Sequence, residues 1–384
     1  MKIDSGLNQA VVSSIEAVSI RYNNLVYDLK RQGKQVISLS LGEAFFDVPL
    51  QPFEDLPFPA LYHYSHSRGI PELREAVARH YSSQFAASID PDSQLIMTAG
   101  SKSAIYFAMM AALNPGDEVL IHEPAWVSYP EQAKLLNAKP VLIPYYCGIR
   151  EYRRFITDRT KMIVVNNPHN PKGGVLSQAE CEFLLSLARE YGALILADEA
   201  YSDFVLDGSF HSFAKLDPKL SHTIVCNSIS KNFGISGWRL GYVFSNEALI
   251  QQILKIQQHV LTCPATILQY YVAKHWKRLQ AVCHPQIVQI NEKRRSVAQL
   301  LRKYNLEFLP GNSTFYFFVS IAPSRMTSEE FATGLLTEDL VAVVPGSGYG
   351  HSCDAFIRIS IGTEPMDRIE HAFRKIRQRI DASA

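Results

Sequence analysis

A lysine and an arginine lie in a short polar turn between two apolar runs of this sequence. The turn contains Lys231 and, further on, Arg239, with apolar residues 223–226 before it and 240–244 after it. A desolvated lysine amine has a lowered pKa and can attack an aldehyde to form a Schiff base, whereas an arginine suits a phosphate. Pyridoxal 5′-phosphate (PLP) carries both groups. The pair is therefore a candidate PLP site, although such charges in a glycine-rich turn are more often solvated.

Polar clusters follow other apolar runs in the same way. Short apolar runs that alternate with helical segments predict a mainly parallel sheet covered on both faces, which is an α/β fold. In such a sheet ligands bind at the carboxyl ends of the strands, so we expect one shared site at that edge. The predicted strands and the clusters after them are 95–97 with 98–101, 118–121 with 123–126, 162–165 with 166–174, 193–197 with 198–201, and 223–226 with 228–231.

The composition is that of an ordinary globular protein. Of 384 residues, 47% are hydrophobic and 20% are charged, and the net charge is +1. This balance supplies no overall attraction for nucleic acid or membrane, and no apolar run of about 18 residues predicts a membrane span. Six cysteines without a CxxC pair, and residues 1–20 without a secretory pattern, predict a cytoplasmic protein with reduced thiols and no metal site. Small molecules are the expected partners.

Two lobes are predicted from the helical and strand patterns. Apolar spacing predicts one or two helices over residues 9–32, a strand at 36–41, and two long helices at 247–282 and 285–304. The composition changes near residue 285. The predicted divisions are an N-terminal segment at 1–45 that packs with the small domain, a large PLP-binding domain at 46–284, and a small C-terminal domain at 285–384.

The clusters together resemble the class I/II aminotransferases of the aspartate aminotransferase superfamily, which have fold type I. The resemblance rests on NPxxPxG at 167–173, DEAY at 198–201, SxSK followed by GxRxGY at 228–242, and RxS at 358–360. It implies a large domain with a mainly parallel seven-stranded sheet between helices, and a smaller α+β domain built from both chain ends. The implied activity is PLP-dependent, ping-pong transfer of an amino group between a 2-amino acid and a 2-oxo acid.

The same resemblance implies roles for three residues around the PLP ring. Lys231 matches the lysine that holds PLP as a Schiff base and moves a proton between the substrate's α-carbon and the cofactor. Asp198 matches the carboxylate that keeps the pyridine nitrogen protonated, and Trp126 matches the aromatic residue that stacks on the ring. The plain structural alternatives are a helix N-cap for Asp198 and a core position for Trp126.

Asn170 and Tyr201 match the residues that hydrogen-bond the phenolic oxygen of PLP. Asn170 also belongs to the implied substrate site. Asn166 and Asn167 are adjacent alternatives to Asn170, and a simple core position is the alternative for Tyr201.

The phosphate of PLP is expected at a helix N-terminus, where backbone N–H groups point outward. The family is homodimeric, and Tyr64 matches a tyrosine that reaches the phosphate from the partner subunit. A core position in a loop is the alternative for Tyr64. The expected phosphate-binding residues of the same subunit are Gly100, Ser101, Lys102, Ser228, Ser230 and Arg239.

Arg358 matches the family arginine that binds the substrate's α-carboxylate through two hydrogen bonds. Gly42 also belongs to this implied site, because its lack of a side chain leaves room for the substrate. Phe45, Phe46 and Tyr129, near the expected entrance, favour an aromatic or apolar donor side chain. Candidates for binding a side-chain carboxylate are Arg68, Arg150, Arg153 and Arg154, for each of which a solvated surface position is the alternative.

Three residues depart from the family pattern. Ala44 replaces a usual proline, Lys172 replaces a usual threonine or serine, and Ser313 replaces a common glycine. The link between residues 143 and 161 is also shorter than is usual. None of these changes removes a catalytic group, so they bear on substrate preference and the shape of the entrance.

Two other functions are compatible with parts of this pattern. A lyase, synthase or oxidase of the same fold would use the same cofactor, because no short motif reports which substrate bond is broken. A non-enzymatic regulator or scaffold would be expected to carry an added DNA-binding segment or to lack Lys231 or Asp198, and the sequence has neither feature.

Overall fold

The computed structural model describes residues 6–54 and 56–383. The strands are β1 (Ile37–Ser38), β2 (Leu95–Thr98), β3 (Glu118–His122), β4 (Lys139–Ile143), β5 (Thr160–Asn166), β6 (Leu194–Asp198), β7 (Thr223–Ser228), β8 (Gly241–Phe244), β9 (Tyr316–Ser320), β10 (Val341–Ala342), β11 (Val344–Pro345) and β12 (Phe356–Ser360). The helices are α1 (Gln9–Val12), α2 (Val18–Arg31), α3 (Pro71–Phe85), α4 (Ser101–Ala112), α5 (Ser128–Leu135), α6 (Gln178–Tyr191), α7 (Phe213–Leu216), α8 (Ile229–Asn232), α9 (Glu247–Val260), α10 (Thr266–Lys303), α11 (Ser328–Asp339) and α12 (Met366–Ala382).

Seven strands form the main sheet, in the order β2–β8–β7–β6–β5–β3–β4. Strand β8 is antiparallel to both of its neighbours, and the remaining pairs are parallel. This confirms the predicted α/β fold with a mainly parallel seven-stranded sheet. The sequence analysis assigned no strand to 139–143. As β4, this segment lies at the sheet edge, where Pro140 is tolerated because no second neighbour needs its missing N–H.

Local sequence signals fix the ends of the helices that cover the sheet. Helix α6 begins at a capping box in which the Ser177 hydroxyl accepts from the Glu180 N–H and the Glu180 carboxylate accepts from the Ser177 N–H. It ends at Gly192, whose φ of 65° is costly for residues with a Cβ. Helix α3 begins with Pro71, which needs no hydrogen-bond acceptor there.

Both ends of the described chain contribute to one hydrophobic cluster outside the main sheet. Tyr22 and Val26 of α2 and Leu39, just after β1, are buried in the same cluster as Ile357 of β12 and Phe373 of α12. Strand β1 pairs in parallel with β10, while β11, β12 and β9 form an antiparallel sheet. The N-terminal segment therefore packs with the C-terminal part of the chain.

Helix α10 is longer than the sequence analysis predicted. A break was expected at Pro285, but a single helix extends from Thr266 to Lys303 with this proline inside it. Buried Leu279, Cys283 and Ile287 continue one apolar stripe through the proline. Packing of that stripe outweighs the cost of a helix proline, which is about 3 kcal/mol. No helix in residues 6–54 and 56–383 is both long and apolar enough to cross a membrane.

Arg294 of α10 joins the small antiparallel sheet to the loops of the large one. Its guanidinium is buried, donates to the backbone carbonyls of Tyr316, Gly311 and Lys172, and lies 4.1 Å from the ring centroid of Phe317. One side chain thus satisfies acceptors from three separate segments.

We expect Arg294→Met to destabilise the protein by about 3 kcal/mol, because it leaves these buried carbonyls without a donor. Thermal unfolding followed by circular dichroism measures the change. Arg295→Met is the matched control, since the neighbouring Arg295 is exposed and its loss should cost less than about 0.5 kcal/mol. Equal melting temperatures for the two variants would contradict the bridging role of Arg294.

Candidate active site

A cavity of about 430 Å³ lies at the carboxyl ends of β5, β6 and β7. Most residues predicted for the site meet there, although they are far apart in the sequence. Gly100 lies beside this lining, whereas Tyr64 is 85% exposed and is not part of it in this chain. The predicted residues that line the cavity are Gly42, Ser101, Lys102, Trp126, Asn170, Asp198, Tyr201, Ser228, Ser230, Lys231, Arg239 and Arg358.

Lys231 projects into the cavity from α8, the short helix that follows β7. The Ser228 hydroxyl caps this helix by accepting from the Ser230 N–H at 3.2 Å. The Lys231 amine donates to the Gly42 carbonyl at 2.7 Å. Burial, and to a smaller extent the nearby arginine Arg358, lowers the pKa of Lys231 to about 8. An appreciable fraction of the amine is therefore neutral and nucleophilic near physiological pH.

Asp198 ends the apolar strand β6 and is buried. Its Oδ2 accepts from the Tyr129 hydroxyl at 2.5 Å, and its Oδ1 accepts from the Ala200 N–H at 3.2 Å. Burial raises the pKa of Asp198, while these two hydrogen bonds and the Lys231 charge oppose the rise. A buried carboxylate of this kind is stabilised by a cation in the cavity, such as a protonated ring nitrogen. The tyrosine partner was not predicted from the sequence.

Positive charge collects at the N-terminus of α4. Gly100, with φ of 80°, precedes the helix, and a Cβ there would lie only 2.5 Å from Arg239 Nη2. The guanidinium therefore lies directly against the helix end. Burial, with a further contribution from Arg239, lowers the pKa of Lys102. Two cations beside the positive end of a helix dipole repel each other unless an anion lies between them, so this corner suits a phosphate.

The three adjacent asparagines have different surroundings. Asn167 Oδ1 accepts from the Leu176 N–H at 2.9 Å, and Asn166 Oδ1 accepts from the Asn170 N–H at 2.6 Å. Both side chains thus hold the loop together. Asn170 Oδ1 and Asn167 Nδ2 are both buried with no hydrogen-bond partner among the described residues, but of the two side chains Asn170 is the one that lines the cavity, so its amide is placed to bind a ligand. Tyr201 shares a hydrogen bond of 3.0 Å with the Tyr316 hydroxyl.

Arg358 enters the cavity from β12. It is buried, its Nη2 donates to the Ser40 carbonyl at 2.6 Å, and its guanidinium lies 4.6 Å from the ring centroid of Tyr316 and 5.5 Å from that of Tyr349. Its Nε is buried and has no partner among the described residues. Such a guanidinium gains most from a bound carboxylate.

Tyr316 is a cavity residue that the sequence analysis missed. It lies on β9, opposite Ser360 of β12, and its hydroxyl would be 3.2 Å from a Cβ on Gly42. The only signal in the sequence was the aromatic run at residues 315–318, which also fits an ordinary buried strand. Glu43 and Ser236 likewise line the cavity without having been singled out.

Several residues proposed for the entrance lie elsewhere. Tyr129 is buried under Asp198, so its prediction as an entrance residue was wrong. Phe46 packs against the hydrophobic clusters, which leaves only Phe45 exposed. None of the four candidate arginines lines the cavity: Arg68 contacts the Ser93 carbonyl, Arg150 lies over the Phe183 ring, Arg153 pairs with Glu190, and Arg154 pairs with Glu151.

The cavity fits PLP on the chemistry of its donors and acceptors. An amine of lowered pKa, a buried carboxylate and a cationic helix end face one space. These groups suit an aldehyde, a protonated ring nitrogen and a phosphate, respectively. Asn170 and Tyr201 are placed to bind an oxygen, and Trp126 supplies an aromatic wall.

Comparisons with known proteins agree with this chemistry. The sequence profile of the family "Aminotransferase class I and II" matches residues 35–376. An aspartate aminotransferase of Pyrococcus abyssi is 34% identical over 91% of this chain and 95% of its own length. Aromatic-amino-acid aminotransferase 2 of Thermococcus litoralis is 32% identical over 95% of this chain and 99% of its own length. The crystal structure of an aspartate aminotransferase from Thermotoga maritima superposes with a TM-score of 0.88 at 28% identity, covering 98% of this chain and 100% of that one.

The lowered pKa of Lys231 makes a testable prediction for the cofactor-free protein. Because only the neutral amine attacks an aldehyde, the rate of reductive methylation of Lys231 by formaldehyde should rise with pH and reach half its maximum near pH 8. Peptide mass spectrometry follows the modification, with exposed Lys161 in the same digests as a reference. A midpoint for Lys231 near the ordinary lysine value of about 10.4 would contradict the prediction.

Proposed function

The chain belongs to the class I and II aminotransferases, and we propose that Lys231 is the residue at which its amino transfer takes place. It is a PLP-dependent aminotransferase, which moves an amino group from a 2-amino acid to a 2-oxo acid. When bound, PLP supplies an aldehyde that condenses with amines and a protonated ring that withdraws electrons. The observation that carries the proposal is that Lys231, Asp198 and Arg358 line one cavity.

Lys231 Nζ would hold the cofactor through its aldehyde and, when free, would take the proton from the substrate's α-carbon. A general base works best when its pKa lies near the working pH. Burial brings the pKa of Lys231 to about 8, and the Gly42 carbonyl, at 2.7 Å, holds the amine at the cavity wall. The same amine would then return that proton to the carbon of the cofactor's aldehyde.

Asp198 holds a proton on the ring nitrogen, and Tyr129 orients that carboxylate. The hydrogen bond of 2.5 Å from the Tyr129 hydroxyl fixes Oδ2 and favours the charged form of Asp198, which burial alone would disfavour. Trp126 would pack against the ring, while Asn170 and Tyr201 would bind its phenolic oxygen.

Ser101, Lys102 and Arg239 bind the phosphate at the α4 N-terminus, together with Ser228 and Ser230 at the start of α8. Their chemistry supports this role, because an anion relieves the repulsion between the two cations. On the opposite side of the cavity, Arg358 binds the α-carboxylate of the amino acid. Gly42 keeps that position open, since a Cβ would lie 3.2 Å from the Tyr316 hydroxyl.

Replacement of Lys231 tests this assignment. Lys231→Ala should lose the visible absorption of the lysine-bound cofactor and lower the transamination rate by about 10³-fold or more, because it removes both the attachment point and the base. Absorption spectroscopy and assay of the 2-oxo acid product measure the two effects. Lys161→Ala, at an exposed lysine of β5, should change neither. Wild-type absorption and activity in Lys231→Ala would overturn the assignment.

We also propose a homodimer in which Tyr64 completes the phosphate site of the partner subunit. Tyr64 and Tyr62 are 85% and 75% exposed, and Phe58 and Leu50 nearby are exposed as well. The rings of Phe58 and Tyr62 are in contact, with centroids 5.7 Å apart, and exposed large apolar and aromatic side chains are typical of an interface. The position of Tyr64 outside the cavity of its own chain supports a role in trans.

Hybrid dimers test the role of Tyr64. Tyr64→Ala should weaken PLP binding about tenfold, the loss of one hydrogen bond to a charged group. Mixing Tyr64→Ala chains with Lys231→Ala chains should restore wild-type PLP affinity at one site per dimer, because the intact Tyr64 serves the intact Lys231 of its partner. Absorption titration of the hybrid measures this. Weak binding in the hybrid would contradict a role in trans.

A cytoplasmic location and the division of the chain at residues 45 and 284 are further parts of the proposal. The six cysteines are free thiols, which is typical of a reducing compartment. Separate hydrophobic clusters around the main sheet and around the antiparallel sheet support a large and a small domain.

A further inference from the structure

A second cavity, of about 260 Å³, lies behind the wall of the first. Trp126 and Asn166 line both cavities and so form their shared wall. The second cavity lies at the carboxyl ends of β3 and β5, beneath α6. The polar side chains that matter for its chemistry are His122, Tyr145, Tyr152, His169, Lys172 and Glu180.

Lys172, one of the three residues that depart from the family pattern, lines this second cavity. No hydrogen bond or ion pair to its amine is found within residues 6–54 and 56–383, and burial lowers its pKa, although the more distant charge of Glu180 opposes this shift. Among the described residues one carboxylate lines this cavity, that of Glu180, and it accepts from the Ser177 N–H at 2.8 Å and from the Ser177 hydroxyl at 2.7 Å. A largely buried amine without a close counter-ion is unfavourable, so this position calls for an anion.

Two neutral imidazoles face the same space. Burial, followed by the charge of Lys172, lowers the pKa of His122 to about 4 and that of His169 well below its usual value. His122 Nε2 donates to the Cys147 carbonyl at 3.0 Å. His169 Nδ1 is buried without a hydrogen-bond partner among the described residues, which leaves it able to bind a ligand.

The remaining lining is largely apolar and includes Ile149, Leu176 and Leu184. A dry cavity of about 150 Å³ binds benzene, so the larger space here accepts a small organic molecule with an apolar body. An inorganic anion would leave these walls without contacts. One cationic end and apolar sides therefore favour an organic acid.

We propose that the second cavity binds an organic carboxylate, with the carboxylate group at Lys172 Nζ and the apolar body against Ile149 and Leu176. Two molecules could supply this carboxylate. One is a dicarboxylic substrate whose far end extends past Trp126, and the other is a separate organic acid. The first source rests on the proposed function, whereas the second does not require it.

A heavy-atom probe tests the site directly. Crystals of the holoenzyme are soaked with 4-bromobenzoate, and the anomalous signal of bromine locates it. We expect a bromine peak inside the second cavity with the carboxylate at Lys172.

In solution, calorimetric titration of the holoenzyme with 4-bromobenzoate measures the affinity of the site. The affinity should fall about tenfold in Lys172→Met, because a hydrogen bond between charged groups is lost. Lys172→Arg, which keeps the charge, should bind more tightly than Lys172→Met.

Lys161→Met is the matched control, since Lys161 is an exposed lysine of the adjacent strand β5 and should bind 4-bromobenzoate as the wild type does. Steady-state kinetics separate the two sources. If the substrate supplies the carboxylate, Lys172→Met should raise KM about tenfold for 2-oxoglutarate relative to its effect on 2-oxohexanoate, whose chain ends in a methyl group. If a separate acid supplies it, 4-bromobenzoate binding should weaken while the two KM values change alike.

The proposal is overturned if the bromine peak lies outside the second cavity, or if Lys172→Met binds 4-bromobenzoate as tightly as the wild type. Because calorimetry measures binding and not activity, this result does not depend on the assignment of Lys231. Failure of the proposed function would instead show as wild-type cofactor absorption in Lys231→Ala, with no bearing on where the bromine atom lies.

Discussion

The parallel sheet is the constraint on which the rest of this structure depends. Apart from Lys161, near the start of β5, the residues of strands β5, β6 and β7 are buried or half-buried, so their ligand-binding polar residues lie where each strand ends. Because the strands are parallel, these ends share one edge, and Asn166, Asp198 and Ser228 meet there. The active site is thus a consequence of burying three apolar strands side by side in the same direction.

The charged groups at that edge are less stable in the isolated chain than they would be with a ligand bound. Burial lowers the pKa of Lys231 and raises that of Asp198, so burial disfavours the charged form of each group. Lys102 and Arg239 repel each other at the end of α4. Binding a cofactor that carries a phosphate and a protonated ring relieves these costs together. We therefore expect cofactor binding and folding stability to be strongly coupled.

The small antiparallel sheet forms the side of the cavity that we propose binds substrate. Neighbouring strands β12 and β9 carry Arg358 and Tyr316, and their positions relative to the large sheet depend on the contacts that Arg294 of α10 makes with separate loops. One of those loops contains Lys172, whose carbonyl accepts from Arg294 while its side chain lines the second cavity. The substrate site and the proposed carboxylate site are therefore supported by the same buried guanidinium.

The sequence by itself determined the fold class and the polar clusters at the ends of five strands, because an apolar strand followed by a polar cluster is a local pattern of burial. The motifs shared with the aminotransferase family indicated the other predicted residues of the first cavity, such as Gly42 and Arg358. The tertiary structure alone decided which distant side chains meet. It paired Tyr129 with Asp198, brought Tyr316 beside Arg358, kept four candidate arginines away from the cavity and carried α10 through Pro285. It also placed Lys172 in the lining of the second cavity. These outcomes depend on how elements far apart in the chain pack together. Apolar periodicity within a segment indicates which of its faces is buried, but not which other element packs against that face.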